Sequence, residues 1–446
     1  MTLKRILIIG GGFGGVNVLK QIQNKFKNNH NIKISLISED NYFLYTPMLP
    51  QVSSGLIHPN DITIPIRKLC KQAEFYHAIT SSIDFEQKLV TITRTYDGKV
   101  HALDYDYLVI ALGSKTNFFG NENIKKYSFV NKTVEDAVAI NAQVINMLEN
   151  AAQTSDVEFK KELMTFTVIG GGFAGVETMG EINQLVRDSV KNFYPSIGEE
   201  NISMNLVSSK KFILPELGSK LGKIAGKYLN KVGVNVITDT KAVDAGEDFV
   251  ELDNGETIPC MTLIWAAGIA IDPVISELEC KHHESGKLKV DKYLRLLDHE
   301  NVFSLGDCAF IKNPSTGKAY PATAQNAIHQ SITVANNLYS TITGKDKLKE
   351  FSFESKGMMT TLGRKEAIAV IFGFHVKGLI AWLIWRTYYL ARLPMLEKKY
   401  QVATSWLADL LFKRDLTFMG LIRNKSLTKV DIKSNSPSIK DFFKDV

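Results

Sequence analysis

The sequence predicts an α/β protein in which one strand–turn–helix unit occurs twice, the second copy inserted in the first, followed by a helical C-terminal region. Three observations predict it. The segment Ile6-Leu7-Ile8-Ile9-Gly10-Gly11-Gly12-Phe13-Gly14-Gly15 recurs 160 residues later as Phe166-Thr167-Val168-Ile169-Gly170-Gly171-Gly172-Phe173-Ala174-Gly175. Further apolar runs ending in a turn, Tyr107 to Gly113, Leu263 to Gly268 and Asn301 to Asp307, supply the strands that complete each copy. From Phe351 onward the composition turns aromatic and basic. At 446 residues the chain is too long for one core and suits two or three domains.

The elements follow in chain order. Met1-Thr2-Leu3-Lys4-Arg5 leads into only four apolar residues, too few for the core of a signal peptide, so a cytoplasmic mature N-terminus is expected. Ile6 to Ile9 has strand length and runs into G-x-G-x-x-G, after which Val16 to Phe26 reads as a helix. In this motif the first glycine permits a tight turn, the second lets backbone approach a pyrophosphate, and the third lets helix and strand pack while the helix N-terminus faces the phosphates. A second strand, Ile34 to Ile37, ends at Ser38-Glu39, and Leu89 to Thr93 adds a β-rich stretch. One such fingerprint is weak evidence; two in register predict two Rossmann-like dinucleotide-binding domains. The expected division is 1–115 with 270–350 for the first, 116–269 for the second, and 351–446 for the C-terminal region.

Composition excludes several classes. Hydrophobic residues at 45% and charged residues at 22% describe a folded chain, not a disordered or fibrous one. The net charge of +6 is small for a nucleic-acid binder and no Lys/Arg-rich arm is present, so no nucleic-acid partner is expected. Arg386 to Val446 holds 12 basic and 6 acidic residues, an excess equal to that of the whole chain, so the basic character belongs to the tail. Cys70, Cys260, Cys280 and Cys308 have no C-x-x-C or Cys/His spacing, and neither a disulfide framework nor a metal site is expected. The most apolar stretch, Ala367 to Trp385, is interrupted by His375 and Lys377 and is not expected to span a membrane.

Between Gly378 and Trp406 the residues Trp382, Trp385, Arg386, Tyr388, Tyr389, Arg392, Lys398, Lys399, Tyr400 and Trp406 interleave aromatic and basic character. Such interleaving suits an amphipathic helix lying in the headgroup zone of a bilayer. Packing of these helices on the body of the protein, or across a dimer, is the alternative. The stretch after Leu427 is polar and is expected to be loose.

The residues also carry a resemblance covering about Lys4 to Phe418. Asn41 to Pro50, Tyr107 to Ser114, Ile264-Trp265-Ala266-Ala267-Gly268, Gly306-Asp307-Cys308-Ala309 and Ala324-Gln325-Asn326-Ala327-Ile328-His329-Gln330 together resemble type II NADH:quinone oxidoreductases, of the two-dinucleotide-binding-domain flavoprotein superfamily. The last segment is similar to that family's A-Q-x-A-x-Q-Q motif beside the quinone, with His329 in place of the first of the paired glutamines. The resemblance implies a noncovalent FAD on Gly10, Gly12, Phe13, Gly14 and Gly15, with Ala111, Gly113, Gly306, Asp307, Ala324 and Gln325 around it and Thr46-Pro47 against its ring. For the adenosine ribose, Glu39 is the candidate carboxylate, whereas the family's usual acid position falls on Ser38. NADH or NADPH as substrate is assigned to Gly170, Gly172, Phe173, Ala174, Gly175, Glu177, Ser208, Ser209, Ala267 and Gly268.

A chain with two such sites holds a flavin in one and exchanges a nicotinamide dinucleotide at the other, since flavin accepts a hydride and then releases electrons to a second acceptor. Quinone reduction also consumes two protons, which makes Glu177, Gln325, His329 and Gln330 the catalytic candidates. Glu177 is expected in the first turn of its helix, where the dipole would favour its charge. Glu181, one turn on, shares that helix face; a solvated face is expected for it, with a proton path formed by the two carboxylates as the alternative. In NADH-specific members the second strand ends in an acid; here it ends in Ser208-Ser209-Lys210-Lys211, so NADPH is expected alongside NADH. The resemblance implies electron transfer to a lipid-soluble quinone without proton pumping, by an enzyme peripheral to the cytoplasmic face of the cell membrane and paired as a homodimer. A sulfide:quinone or other flavin oxidoreductase, and a non-catalytic flavin-binding redox sensor, remain open on the sequence.

Overall fold

The computed structural model describes residues 3–345 and 347–417, so the polar stretch after Leu427 lies outside the described residues. The chain divides into two units. The first comprises the chain up to Tyr45, Thr63–Asn117 and Ile269–Ser355; the second comprises Thr46–Ile62, Phe118–Gly268 and the chain from Lys356. The short segment Thr46–Ile62 therefore groups with the second unit.

In the first unit one sheet runs in the order Val302–Ser304, Tyr107–Ile110, Lys4–Ile9, Ile32–Ser38, Ala73–Asp84, Leu89–Arg94, Val100–Asp104. The first five strands are parallel, the last two antiparallel. Strands covered on both faces require unbroken apolar runs, and Ile6, Leu7, Ile8 and Ile9 are all buried. The helix Phe13–Lys25 follows the central strand and packs against the helix Ala324–Thr343, where Phe26 meets Tyr339 at 5.2 Å between rings.

The second unit repeats this plan with five parallel strands: Phe129–Val130, Thr262–Trp265, Thr165–Ile169, Ser203–Val207 and Val234–Ile237. Again the central strand carries the glycines. The duplication holds at the level of single hydrogen bonds. Gly10 N donates to Ile37 O at 2.9 Å and Gly170 N to Val207 O at 2.8 Å; Ala111 N donates to Ile9 O and Ala266 N to Ile169 O, both at 2.8 Å.

Residues 351–377 differ from the helical expectation. They form the antiparallel strands Gly357–Gly363, Glu366–Ile371 and Phe374–Lys377. The second hairpin closes on Phe372-Gly373, both at positive φ (49° and 82°), which matches the right-handed twist of paired strands. The helices Gly378–Arg392 and Leu396–Leu411 follow.

Part of the interleaved set follows the packing alternative. Trp382, Trp385 and Trp406 are buried, and Trp382 packs with Ala367, Ala369 and Ala381. Arg386 is buried over the Trp382 ring (3.8 Å) and the Trp406 ring (4.7 Å), and Lys398 is buried with its Nζ donating to Asn60 O. These aromatic and basic groups hold the helices to their own unit. Tyr400 of the same set stays exposed, and with it Leu379, Ile380, Leu383, Leu396, Leu407, Leu410, Leu411 and Phe412, together with Phe372 and Phe374 at the hairpin tip. No helix among the described residues is long and apolar enough to cross a membrane.

Candidate functional site

The first glycine turn is sterically obligatory. A Cβ on Gly10, whose φ is +108°, would come within 2.2 Å of Ala111 O, and one on Gly15 within 1.9 Å of Gly10 O. In front of Gly12 nothing lies within 4 Å of where a Cβ would stand, and the helix starting at Phe13 has no side chain capping its first N–H groups. Those N–H groups, with no acid in the first turn, form a cradle that fits a pyrophosphate. Ser38 lies under Gly11: a Cβ there would meet Ser38 Oγ at 2.3 Å. Glu39 is exposed, its carboxylate 3.4 Å from Lys115 Nζ.

In the same unit Gly306-Asp307 closes the strand Val302–Ser304 beside Gly113 and the start of the Ala324–Thr343 helix. Ser114 Oγ donates to Asp307 Oδ2 at 2.9 Å, and Gly306 N donates to Gln330 Oε1 at 2.8 Å. Gln330 is thus spent on the backbone of the turn that carries Asp307, a positioning role. His329 stacks on Phe353, ring centroids 3.9 Å apart, and Gln325 Oε1 accepts from Ser355 Oγ at 3.4 Å. A recess is lined here by Asp307, Tyr320, Thr323, Asn326 and Gln330. Ser114 escaped the sequence reading as a site residue although it ends the Tyr107 to Ser114 segment.

The second cradle reproduces the first within its own unit. Gly170 has φ +128° with a Cβ position 2.6 Å from Ala266 O; the space before Gly172 is clear, and the helix Phe173–Phe193 starts uncapped. Ser208 stands under Gly171 as Ser38 stands under Gly11, a Cβ there meeting Ser208 Oγ at 2.5 Å. Past it, Ser209, Lys210 and Lys211 are exposed. Where the first copy presents the Glu39 carboxylate, the second presents no acid. Ala267 and Gly268 follow the strand Thr262–Trp265, Gly268 at φ +81°. Thr46 and Pro47 belong to the second unit, in the turn Thr46–Met48.

Glu177 is the fifth residue of its helix, beyond the first turn, and the helix-dipole expectation fails with it. Its carboxyl is enclosed. Oε1 accepts from Thr360 Oγ1 at 3.0 Å and from Thr361 N at 3.2 Å. The strand bearing these threonines comes this close because Gly180, three residues on, has no side chain: a Cβ there would sit 2.7 Å from the Leu362 carbonyl carbon. Burial dominates the electrostatics and pushes the Glu177 carboxyl up to about 8, with Glu181 adding to the rise and the two threonine bonds opposing it.

Glu181 is not on a solvated face. It is buried, accepts from Ser54 Oγ at 2.9 Å, and pairs with Arg414 at 3.3 Å. Arg414 also pairs with Asp409 at 3.1 Å, and Arg364 donates to Asp409 O at 2.6 Å. Thr360, Ser54 and Arg414 carry no motif; the sequence signal was two threonines inside an otherwise apolar buried strand.

No group of three or more potential metal ligands occurs among the described residues. None of the four cysteines forms a disulfide. Burial pushes the Cys70, Cys280 and Cys308 thiols up, Cys280 to about 11, so none of these is a poised thiolate.

Comparison with known proteins agrees with this geometry. Residues 4–331 match the pyridine nucleotide-disulphide oxidoreductase model. A probable NADH dehydrogenase of Dictyostelium discoideum is 30% identical, over 93% of this chain and 91% of that protein. A type II NADH:quinone oxidoreductase of Mycobacterium tuberculosis is 28% identical, over 92% of this chain and 89% of that one. The solved structure of NDH2 from Plasmodium falciparum in complex with NADH shares the fold, with a TM-score of 0.87 at 22% identity, covering 93% of this chain and 100% of that one. With two matching cradles in one chain and relatives aligned over nearly its whole length, the chain belongs to the pyridine nucleotide-disulphide oxidoreductase family, among the type II NADH:quinone oxidoreductases.

Proposed function

We propose that this protein is a flavoenzyme that passes electrons from a nicotinamide dinucleotide through FAD to a membrane quinone without pumping protons. The observation that carries the reading is the enclosed Glu177 carboxyl, held by Thr360 and Thr361 on the very helix whose N-terminus forms the second cradle, where burial pushes it up to about 8. Bound at the first cradle, the flavin supplies hydride acceptance and two-electron donation. The chain's residues do the rest. Gly10 to Gly15 would seat one pyrophosphate and Gly170 to Gly175 the other, while Asp307, fixed by Ser114, would hold the flavin's ribityl or phosphate region. Glu177 keeps a proton available where quinone reduction consumes one. A sulfide-using reaction needs cysteines poised at the flavin, and the raised thiols speak against it.

The flavin is held without a covalent bond. Acid precipitation should release the yellow pigment into the supernatant; a coloured pellet would overturn the assignment.

The missing acid after the second strand admits NADPH beside NADH, because nothing there repels a 2′-phosphate while Lys210 and Lys211 attract it. Ser208→Glu should shift the kcat/KM ratio toward NADH about tenfold, roughly 1.4 kcal/mol. An unmodified enzyme that prefers NADH by more than about a thousandfold would show that another residue rejects the phosphate.

Attachment is peripheral, at the cytoplasmic face, through Leu379, Ile380, Leu383, Leu396, Leu407 and Leu411, an apolar set that a soluble surface does not usually collect. Pairing of two copies through the same C-terminal region is the second association we propose.

A further inference from the structure

The buried charges behind Glu177 have no place in the reaction as described so far. Glu181 lies one helical turn from Glu177 on the same helix, and both are buried. From the strand Gly357–Gly363, Glu177 meets Thr360 and Thr361; from the helix Gly378–Arg392 it meets the Trp385 indole; the charged group acting on it is Glu181. Ser54, after the helix Leu49–Ser53, brings a hydroxyl and no charge. Glu181 itself is faced by Arg414 directly and by Arg386, with Asp409 tying Arg414 and Arg364 into the same cluster. The Glu181 carboxylate is thus fixed one turn from Glu177 by a hydroxyl and a guanidinium.

We propose that Glu181 is a positioning residue for quinone reduction: its carboxylate, pinned by Ser54 and Arg414, reinforces the burial that keeps Glu177 in the proton-carrying form and so extends the upper pH limit of the reaction. The proposal rests on Glu177 as the proton source. A like charge one turn away in a buried site adds to the burial that already disfavours ionisation of Glu177. The same contacts tie the segment after the last helix to the helix that carries Glu177, which assigns a function to Arg414 without placing it near the reacting groups.

The test uses the FAD-loaded full chain, reduced anaerobically by NADH and mixed with a water-soluble benzoquinone across a range of pH. In the unmodified enzyme the reoxidation rate should fall with a midpoint at about pH 8. Glu181→Gln should move that midpoint down by about one pH unit, Glu181→Asp should leave it in place, and flavin reduction by NADH should not respond. Because Glu181→Gln leaves Arg414 facing Asp409 without Glu181, the double variant Glu181→Gln with Arg414→Gln is made alongside; it removes both members of the pair, leaves Asp409 with Arg364, and should show the same downward shift. An unmoved midpoint in a folded variant would overturn the proposal. Failure of the underlying reading looks different: Glu177→Gln would then retain both the parent rate and the parent pH profile.

Discussion

Replacing Glu177 by glutamine should slow reoxidation of the reduced flavin by quinone about a hundredfold or more, while reduction by NADH changes less than about threefold. Hydride transfer needs stacked rings and exclusion of water, neither of which asks for the proton; quinone reduction does ask for it. Stopped-flow measurement of the two half-reactions separates them. The substitution carries a second signature in stability. Folding raises the Glu177 carboxyl from the ordinary 4.5 to about 8, so the folded state favours the protonated form. The stabilising contribution is whole below about pH 4.5 and is lost as pH rises through 8. Glutamine carries no charge at any pH and escapes that loss. The variant should therefore unfold with the parent near pH 4.5 and at a higher temperature than the parent above pH 8, the difference reaching up to about 5 kcal/mol. Equal stability at high pH would mean that the carboxyl is hydrated and ionised, and the proton-source reading would fall.

The second large effect concerns the bilayer. Leu379, Ile380 and Leu383 are 51%, 65% and 51% exposed, on the first helix after the hairpin. Changing all three to glutamate should reduce partitioning onto liposomes about a hundredfold, since each apolar side chain withdrawn from lipid forfeits about 1 kcal/mol or more. Because these side chains have little to do with their own unit, activity with a soluble quinone should persist. Undiminished liposome binding would place the anchor elsewhere, with Phe372 and Phe374 at the hairpin tip as the next residues to change.

Much of the nucleotide-binding architecture was legible because it depends on local rules. Apolar runs of strand length, glycines that must adopt positive φ or permit close approach, and the repetition of both are written in short segments, and the two sheets follow the expected parallel order around Lys4–Ile9 and Thr165–Ile169. The C-terminal region was less legible. Ala367 to Ile371 and Gly378 to Arg392 are both apolar, and composition alone does not separate a short buried strand from a helix; the Phe372-Gly373 turn was the distinguishing signal. Facing was harder still. Trp382, Trp385 and Arg386 satisfy a membrane-surface pattern and equally a buried cation–aromatic stack, and only the packing partners decide for the second. Around Glu177 the motif marked the residue, but what tunes it comes from sequence positions 54, 181, 360, 361 and 414, brought together by Gly180 and by ion pairs that no local pattern announces. Gln330 shows the converse: a residue marked by the quinone motif spends its carbonyl oxygen on the Gly306 backbone.

One anaerobic experiment tests whether electrons enter from a nicotinamide dinucleotide and leave to a quinone. The purified protein is mixed with NADH, the flavin absorbance is followed until it bleaches, and a soluble quinone is then added. Bleaching by NADH followed by prompt recovery of the oxidised spectrum on quinone addition is the predicted result. A flavin that NADH bleaches but that quinone leaves reduced, or one that bleaches only with sulfide, would contradict the account.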